Sequence, residues 1–181
     1  TALSVWLLGS ARREGLRAAL SRPAPCVVAA GVALTFVAAP IDNGWHEAFG
    51  RDAVIWSPPH MLGVAGALLI AAGLFLELGR GDLRRPVVGS IAAAALVASA
   101  AVPVLEYETD VPQFDVAFYL PVLAGASAFA LRLVRLLAVN RYAATIAAAA
   151  YTIVIALVAA VLAATAMPAP LIPLLVIPAL V

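Results

Sequence analysis

Lysine is absent from this chain, and all eleven of its cationic side chains are arginines. Charged residues of either sign fill only 12% of 181 positions, where a soluble domain carries about 25%. That scarcity leaves too little polar surface to keep a domain of this size in water. One cysteine, Cys26, sits in an apolar run, so neither a disulfide framework nor a thiolate metal cluster can be built; it reads as a small packing residue. No phosphate-cradling glycine loop, dinucleotide glycine pattern or Ser–His–Asp set is present. A basic patch interleaved with aromatics is also missing, and nucleic acid is not an expected partner. Nothing alternates with the period of membrane-barrel strands. Histidine occurs only twice, as His46 and His60.

What remains is apolar length. Hydrophobic residues make up 65% of the chain and the mean hydropathy is +1.06. Runs long enough to cross a hydrocarbon core, roughly 20 residues each, recur throughout. Helices satisfy their own backbone groups in lipid, so the expected fold is an all-α polytopic transmembrane bundle of about six spans. Hydropathy places them near 24–41, 60–78, 86–105, 116–137, 142–166 and 168–181. The last carries Pro168, Pro170, Pro173 and Pro178 and reads as a kinked span, a re-entrant piece or the start of a longer helix. Residues 1–23 form a surface segment, amphipathic and arginine-rich over "SARREGLRAALSR"; residues 24–181 form one transmembrane domain. In the fifth span, Ala144 and Ala148 permit close helix packing, and Tyr151 and Thr152 are expected to bond neighbouring helices. Pro103 and Pro121 are expected to kink their spans.

Arginine distribution then assigns sides. Segments holding Arg12, Arg13, Arg17 and Arg22, then Arg80, Arg84 and Arg85, then Arg132, Arg135 and Arg141 contain only Glu14, Glu77 and Asp82 as acids, a balance of +7. The alternate segments hold Arg51 against Asp42, Glu47, Asp52, Glu106, Glu108, Asp110 and Asp115, a balance of −6. Such asymmetry is the positive-inside signature. It predicts a cytoplasmic N-terminus in a bacterial inner membrane, with both acidic connections, 42–59 and 106–115, on the outer, periplasmic side.

Both histidines fall in the first of those connections, "DNGWHEAFGRDAVIWSPPH", residues 42–60. Asp42 and His46 are four apart, so a helical turn projects them from one face. Pro40 is expected to end the first span, leaving a short interfacial helix that Gly50 can cap. "SPPH" reads as a helix start, with Ser57 as N-cap and Pro58 in the first turn, which puts His60 at the membrane surface. Two imidazoles and a carboxylate make an N,N,O set with open positions, suited to copper, zinc or non-haem iron. Glu47 and Asp52, with Glu106, Glu108 and Asp110 from across the cleft, are candidates for supporting or additional ligands. A purely hydrogen-bonded interfacial cluster is the competing account. Trp45 and Trp56 read as interfacial anchors.

The same stretch resembles the metal-site segment of an integral membrane component of the particulate methane and ammonia monooxygenase superfamily. The resemblance is carried by Asp42, Trp45, His46, the Arg51–Asp52 pair, Pro58 and His60. It implies an intramembrane copper site with Asp42, His46 and His60 as ligands, partner subunits and an oxidative function; other membrane subunits or a homo-oligomer are the expected partners. Thirteen residues separate the two histidines, one more than in the family. Where the family has an Asn and a further His, this chain reads "EYETDVPQFD", so a second metal position is not implied. Two other functions remain open: a non-catalytic subunit that docks a partner through its acidic outer face, and a small transporter or proton-conducting element.

Overall fold

In a computed structural model, residues 9, 12–13, 15–50, 54–80, 86–108, 112–138, 140–167 and 169–175 are described. They form an all-helical protein. A short helix α1 (Leu16–Ser21) leads into α2 (Pro23–Phe49), followed by α3 (Pro58–Arg80) and α4 (Pro86–Ala101). A 3₁₀ turn (Val102–Val104) joins α4 to α5 (Leu105–Glu108), and α6 (Val116–Leu137) and α7 (Ala143–Ala164) complete the set. Five helices are long and apolar enough to cross a membrane: Pro23–Phe49, Pro58–Leu78, Gly89–Tyr107, Val116–Leu136 and Ala143–Ala164. The chain is an integral membrane protein. The sixth expected span does not appear as a helix over 169–175; Leu175 instead packs into the core.

The helix that starts at Pro23 does not stop at Pro40. It runs 27 residues to Phe49 with the proline inside it. Proline costs one backbone bond, but a membrane helix tolerates it because nothing outside offers the freed groups a better partner. At 1.5 Å per residue α2 is about 40 Å long, longer than the roughly 30 Å hydrocarbon core. Its last two turns, with Asp42 and His46, therefore reach the membrane boundary as part of one rigid rod. Gly50 ends it at φ 83°, with its N–H on the His46 carbonyl at 3.0 Å, a backbone geometry that favours glycine.

Alpha-2 and α3 form the most extensive helix interface in the described residues. Small residues make it possible. A side chain at Gly31 would lie 2.7 Å from the Gly66 carbonyl, and one at Gly73 2.8 Å from the Val28 amide. Along α2 the seam runs Ala24, Val28, Gly31, Thr35, Ala38, Asp42; along α3 it runs Pro59, Gly63, Gly66, Ile70, Gly73, Glu77. Both alternate in steps of four and three, the spacing of a helix–helix seam. Close packing was expected only in the fifth span, where Ala144, Ala147, Ala148 and Tyr151 are indeed buried. Thr152 bonds its own helix at the Ala148 carbonyl, 2.8 Å away.

The main core lies elsewhere. Alpha-4 packs against α3, α6 and α7, and Leu96, Val97, Ala130, Val134, Ala147 and Ala148 are almost wholly enclosed there. Phe36, Phe129, Ile153, Leu157 and Val161 are exposed. In water so much apolar surface is an aggregation hazard, whereas in lipid it is the ordinary outer face of a span.

Candidate metal centre

The seam that sets the register of α3 against α2 also sets His60 opposite Asp42. Asp42 Oδ2 lies 3.3 Å from His46 Nε2, one helical turn on. Its other oxygen, Oδ1, lies 3.3 Å from His60 Nε2, across the helix pair. The two imidazole rings stand 6.1 Å apart at 61°. One donor atom from each of the three residues falls within 4.8 Å of the other two, and all three are half-buried.

Each ring is held from behind. His60 Nδ1 donates to the Val54 carbonyl at 2.6 Å, and His46 Nδ1 contacts the Gly50 carbonyl at 3.3 Å. A carbonyl can only accept, so each ring donates through Nδ1 in these contacts and turns its Nε2 toward Asp42. Anchoring the far nitrogen in this way is the usual support of a metal-binding histidine. The result is one carboxylate shared by two imidazole nitrogens. Asp42 Oδ1 is shielded from solvent and accepts no hydrogen bond, although His60 Nε2 is so near. Positive charge between these atoms relieves their repulsion. A proton on each ring can supply it, and so can one metal ion held by all three residues.

The dimensions suit an ion. Metal–nitrogen and metal–oxygen bonds of about 2.0–2.2 Å put neighbouring tetrahedral donors roughly 3.3–3.6 Å apart; each histidine meets that spacing to a different Asp42 oxygen, and one donor from each residue lies within 4.8 Å of the others. Three donors of N,N,O type leave coordination positions open. An apolar cleft of about 430 Å³ adjoins Asp42 and His60, bordered by Thr35, Ala38, Ile55 and Gly63 among others.

The remaining acidic candidates are placed differently. Glu47 accepts from Asn43 Nδ2 at 2.8 Å in an exposed pair on its own helix. Glu108 ends α5, while Asp52 and Asp110 lie outside the described residues. Glu106 is only 4% exposed and does not join the ligand group among the described residues. One of its oxygens accepts from the Ile55 amide, the other from the Tyr119 hydroxyl at 3.0 Å. That hydroxyl in turn accepts from the amides of Gln113 and Phe114, at 2.9 and 3.1 Å. Glu106 thus pins residue 55, next to the Val54 carbonyl that anchors His60. The two acidic connections do converge, and this carboxylate is where they join.

Trp56 strengthens the same junction. Its Nε1 donates to the Pro103 carbonyl at 2.8 Å, and its ring meets Phe118 at 4.9 Å. It is a half-buried bolt between two connections more than a lipid anchor. Trp45 stacks obliquely on Phe49 at 4.5 Å. Ser57 precedes α3 as expected, and its carbonyl accepts from the Met61 amide at 3.0 Å. Its hydroxyl caps nothing, and Pro59 removes one of the two N–H groups that a capping side chain could reach.

Tyr119, Val54 and the glycine seam were not among the residues the sequence singled out. The seam had a readable signal in the four–three spacing of small residues ending at Asp42. Backbone carbonyls carry none. No protein-family model, curated protein or solved structure matches the chain.

Proposed function

We propose that this chain is an integral membrane metal-binding subunit in which Asp42, His46 and His60 hold one transition-metal ion, copper first, with zinc and iron as competitors. The observation that carries the reading is the convergence of three groups, two of them rings fixed from behind, around a shielded carboxylate oxygen with no hydrogen bond. Mixed imidazole and carboxylate donors suit these metals, and the lack of thiolate ligands disfavours a closed structural zinc site. A bound ion would bring Lewis acidity or one-electron chemistry to the cleft. The protein's part is to orient the two rings, exclude competing donors and leave positions open beside an apolar wall.

Resemblance of residues 42–60 to the metal-site segment of the copper membrane monooxygenases supports an oxidative role within a larger assembly. The arginine asymmetry supports a cytoplasmic N-terminus and a periplasmic centre in a bacterial inner membrane. The docking alternative leaned partly on Glu106, which is buried and bonded internally, so it offers no charge to a partner.

Metal analysis of purified protein tests the reading. Near-stoichiometric copper, lost in His46→Ala and His60→Ala while the helical content holds, is the expected result. Metal content unchanged by both substitutions would remove it.

A further inference from the structure

A second site runs along α6, and its charged end lies at the opposite end of the spans from the Glu106 junction. One face of α6, from Leu120 to Arg135, with Ala144 of α7 and Leu175, lines an open groove of about 530 Å³. That falls within the roughly 300–1,000 Å³ of small-molecule sites. Its walls are apolar toward Leu120 and Leu123 and end in the guanidinium groups of Arg132 and Arg135.

Two features separate this groove from an ordinary lipid-facing surface. Ser127 lines it, is only 5% exposed, and its hydroxyl makes no hydrogen bond. Thr35, Ser99 and Thr152, also on spans, each donate to the carbonyl four residues back. A buried hydroxyl without a partner is costly in an apolar setting, so Ser127 has an unmet requirement for an acceptor. The second feature is charge. From Val116 onward the chain carries three arginines and no acidic residue, so the groove's own helix offers Arg132 and Arg135 no carboxylate.

We propose that the groove binds one anionic phospholipid. The phosphate sits between Arg132 and Arg135, an ester carbonyl accepts from the Ser127 hydroxyl, and an acyl chain lies along Leu123 and Leu120. The order along α6 matches the order of groups in a lipid. Ser127 is five residues before Arg132, about 7.5 Å deeper along the helix, and the leucines are deeper still. Basic pockets between spans select anionic headgroups because the phosphate and the extra negative charge are both drawn to guanidinium. The start of α7 at Ala144 adds the positive end of a helix dipole.

Native mass spectrometry on the full purified chain in neutral detergent tests this, with phosphatidylglycerol and phosphatidylcholine of identical acyl chains as probes. One phosphatidylglycerol should be retained, with a preference over phosphatidylcholine on the order of tenfold. The double variant Arg132→Gln/Arg135→Gln should bring the two lipids to parity, while Arg12→Gln/Arg13→Gln leaves the preference intact. Ala128→Phe, which fills the groove without touching its charge, should lower retention of both lipids. Free glycerol 3-phosphate should not compete, since it lacks the chain. Equal retention of both lipids overturns the proposal, as does a preference that survives loss of Arg132 and Arg135. An equal fall in the Arg12/Arg13 control, or displacement by glycerol 3-phosphate at lipid-like concentration, does so too.

Discussion

The two ends of the α2–α3 pair are built on one seam and yet differ in kind. At one end Arg22 meets Glu77 at 3.6 Å, with the side chains 35% and 26% exposed. At the other, Asp42 faces His46 and His60 at 3.3 Å each. At the first end a guanidinium and a carboxylate of opposite charge face each other. At the other, one carboxylate is shared by two imidazole rings that are each anchored through Nδ1. Similar polar content, on the same two helices, gives a simple ion pair in one place and a three-residue cluster in the other.

The largest expected break in this comparison is His60→Ala. A structural zinc site is worth about 10–16 kcal/mol, so one ligand in three or four carries roughly 4 kcal/mol, on the order of a thousandfold in affinity. Copper titration with a competing chelator reads it, and a loss below tenfold would argue that His60 is not a ligand.

Next comes the seam. Gly66→Val drives a branched side chain into the Gly31 carbonyl and Thr35, an overpacking that costs about 1–3 kcal/mol. It should lower the thermal midpoint and weaken metal binding together. Gly63→Ala meets open space and should leave both nearly unchanged. If the two glycines respond alike, close packing does not set the position of His60.

Glu106→Ala should have an intermediate effect. It strips the Ile55 amide and the Tyr119 hydroxyl of their shared partner and frees the segment that presents the Val54 carbonyl to His60. Supporting groups of this kind are worth roughly 10–100-fold in metal affinity, and the lower figure is expected because Glu106 acts two links away. Unaltered affinity with lowered stability would make it a strut for the loop alone.

Smallest is Glu77→Gln. Partly exposed ion pairs contribute about 0–1 kcal/mol, so the melting curve should barely move and metal affinity not at all. A metal effect from this end would mean that the two ends communicate through the seam.

Much of the fold was legible because lipid simplifies the problem: a span must be helical, apolar and about 20 residues long. Four of the six expected spans match helices closely, and the first is longer than expected because Pro40 does not break it. The proline-rich end allowed a kinked span, a re-entrant piece or the start of a longer helix, and the described residues 169–175 are not helical. At the site, Asp42, His46 and His60 stood out as rare polar residues in a greasy chain. Glu106 was visible as an acid but not as a buried hub, because its partners Ile55 and Tyr119 are 51 residues upstream and 13 downstream of it.

Sequence alone determined the membrane class, the separation of arginines from carboxylates, and the pairing of Asp42 with His46. Each follows from a local rule: transfer of apolar side chains into lipid, charge bias across a bilayer, and 3.6 residues per turn. Only the tertiary structure decided that His60 meets Asp42, that both rings are held through Nδ1, and that Glu106 braces the segment that anchors His60. Those facts depend on how closely two backbones approach at Gly31, Gly66 and Gly73, a distance set by contact between helices and encoded in no single stretch of chain.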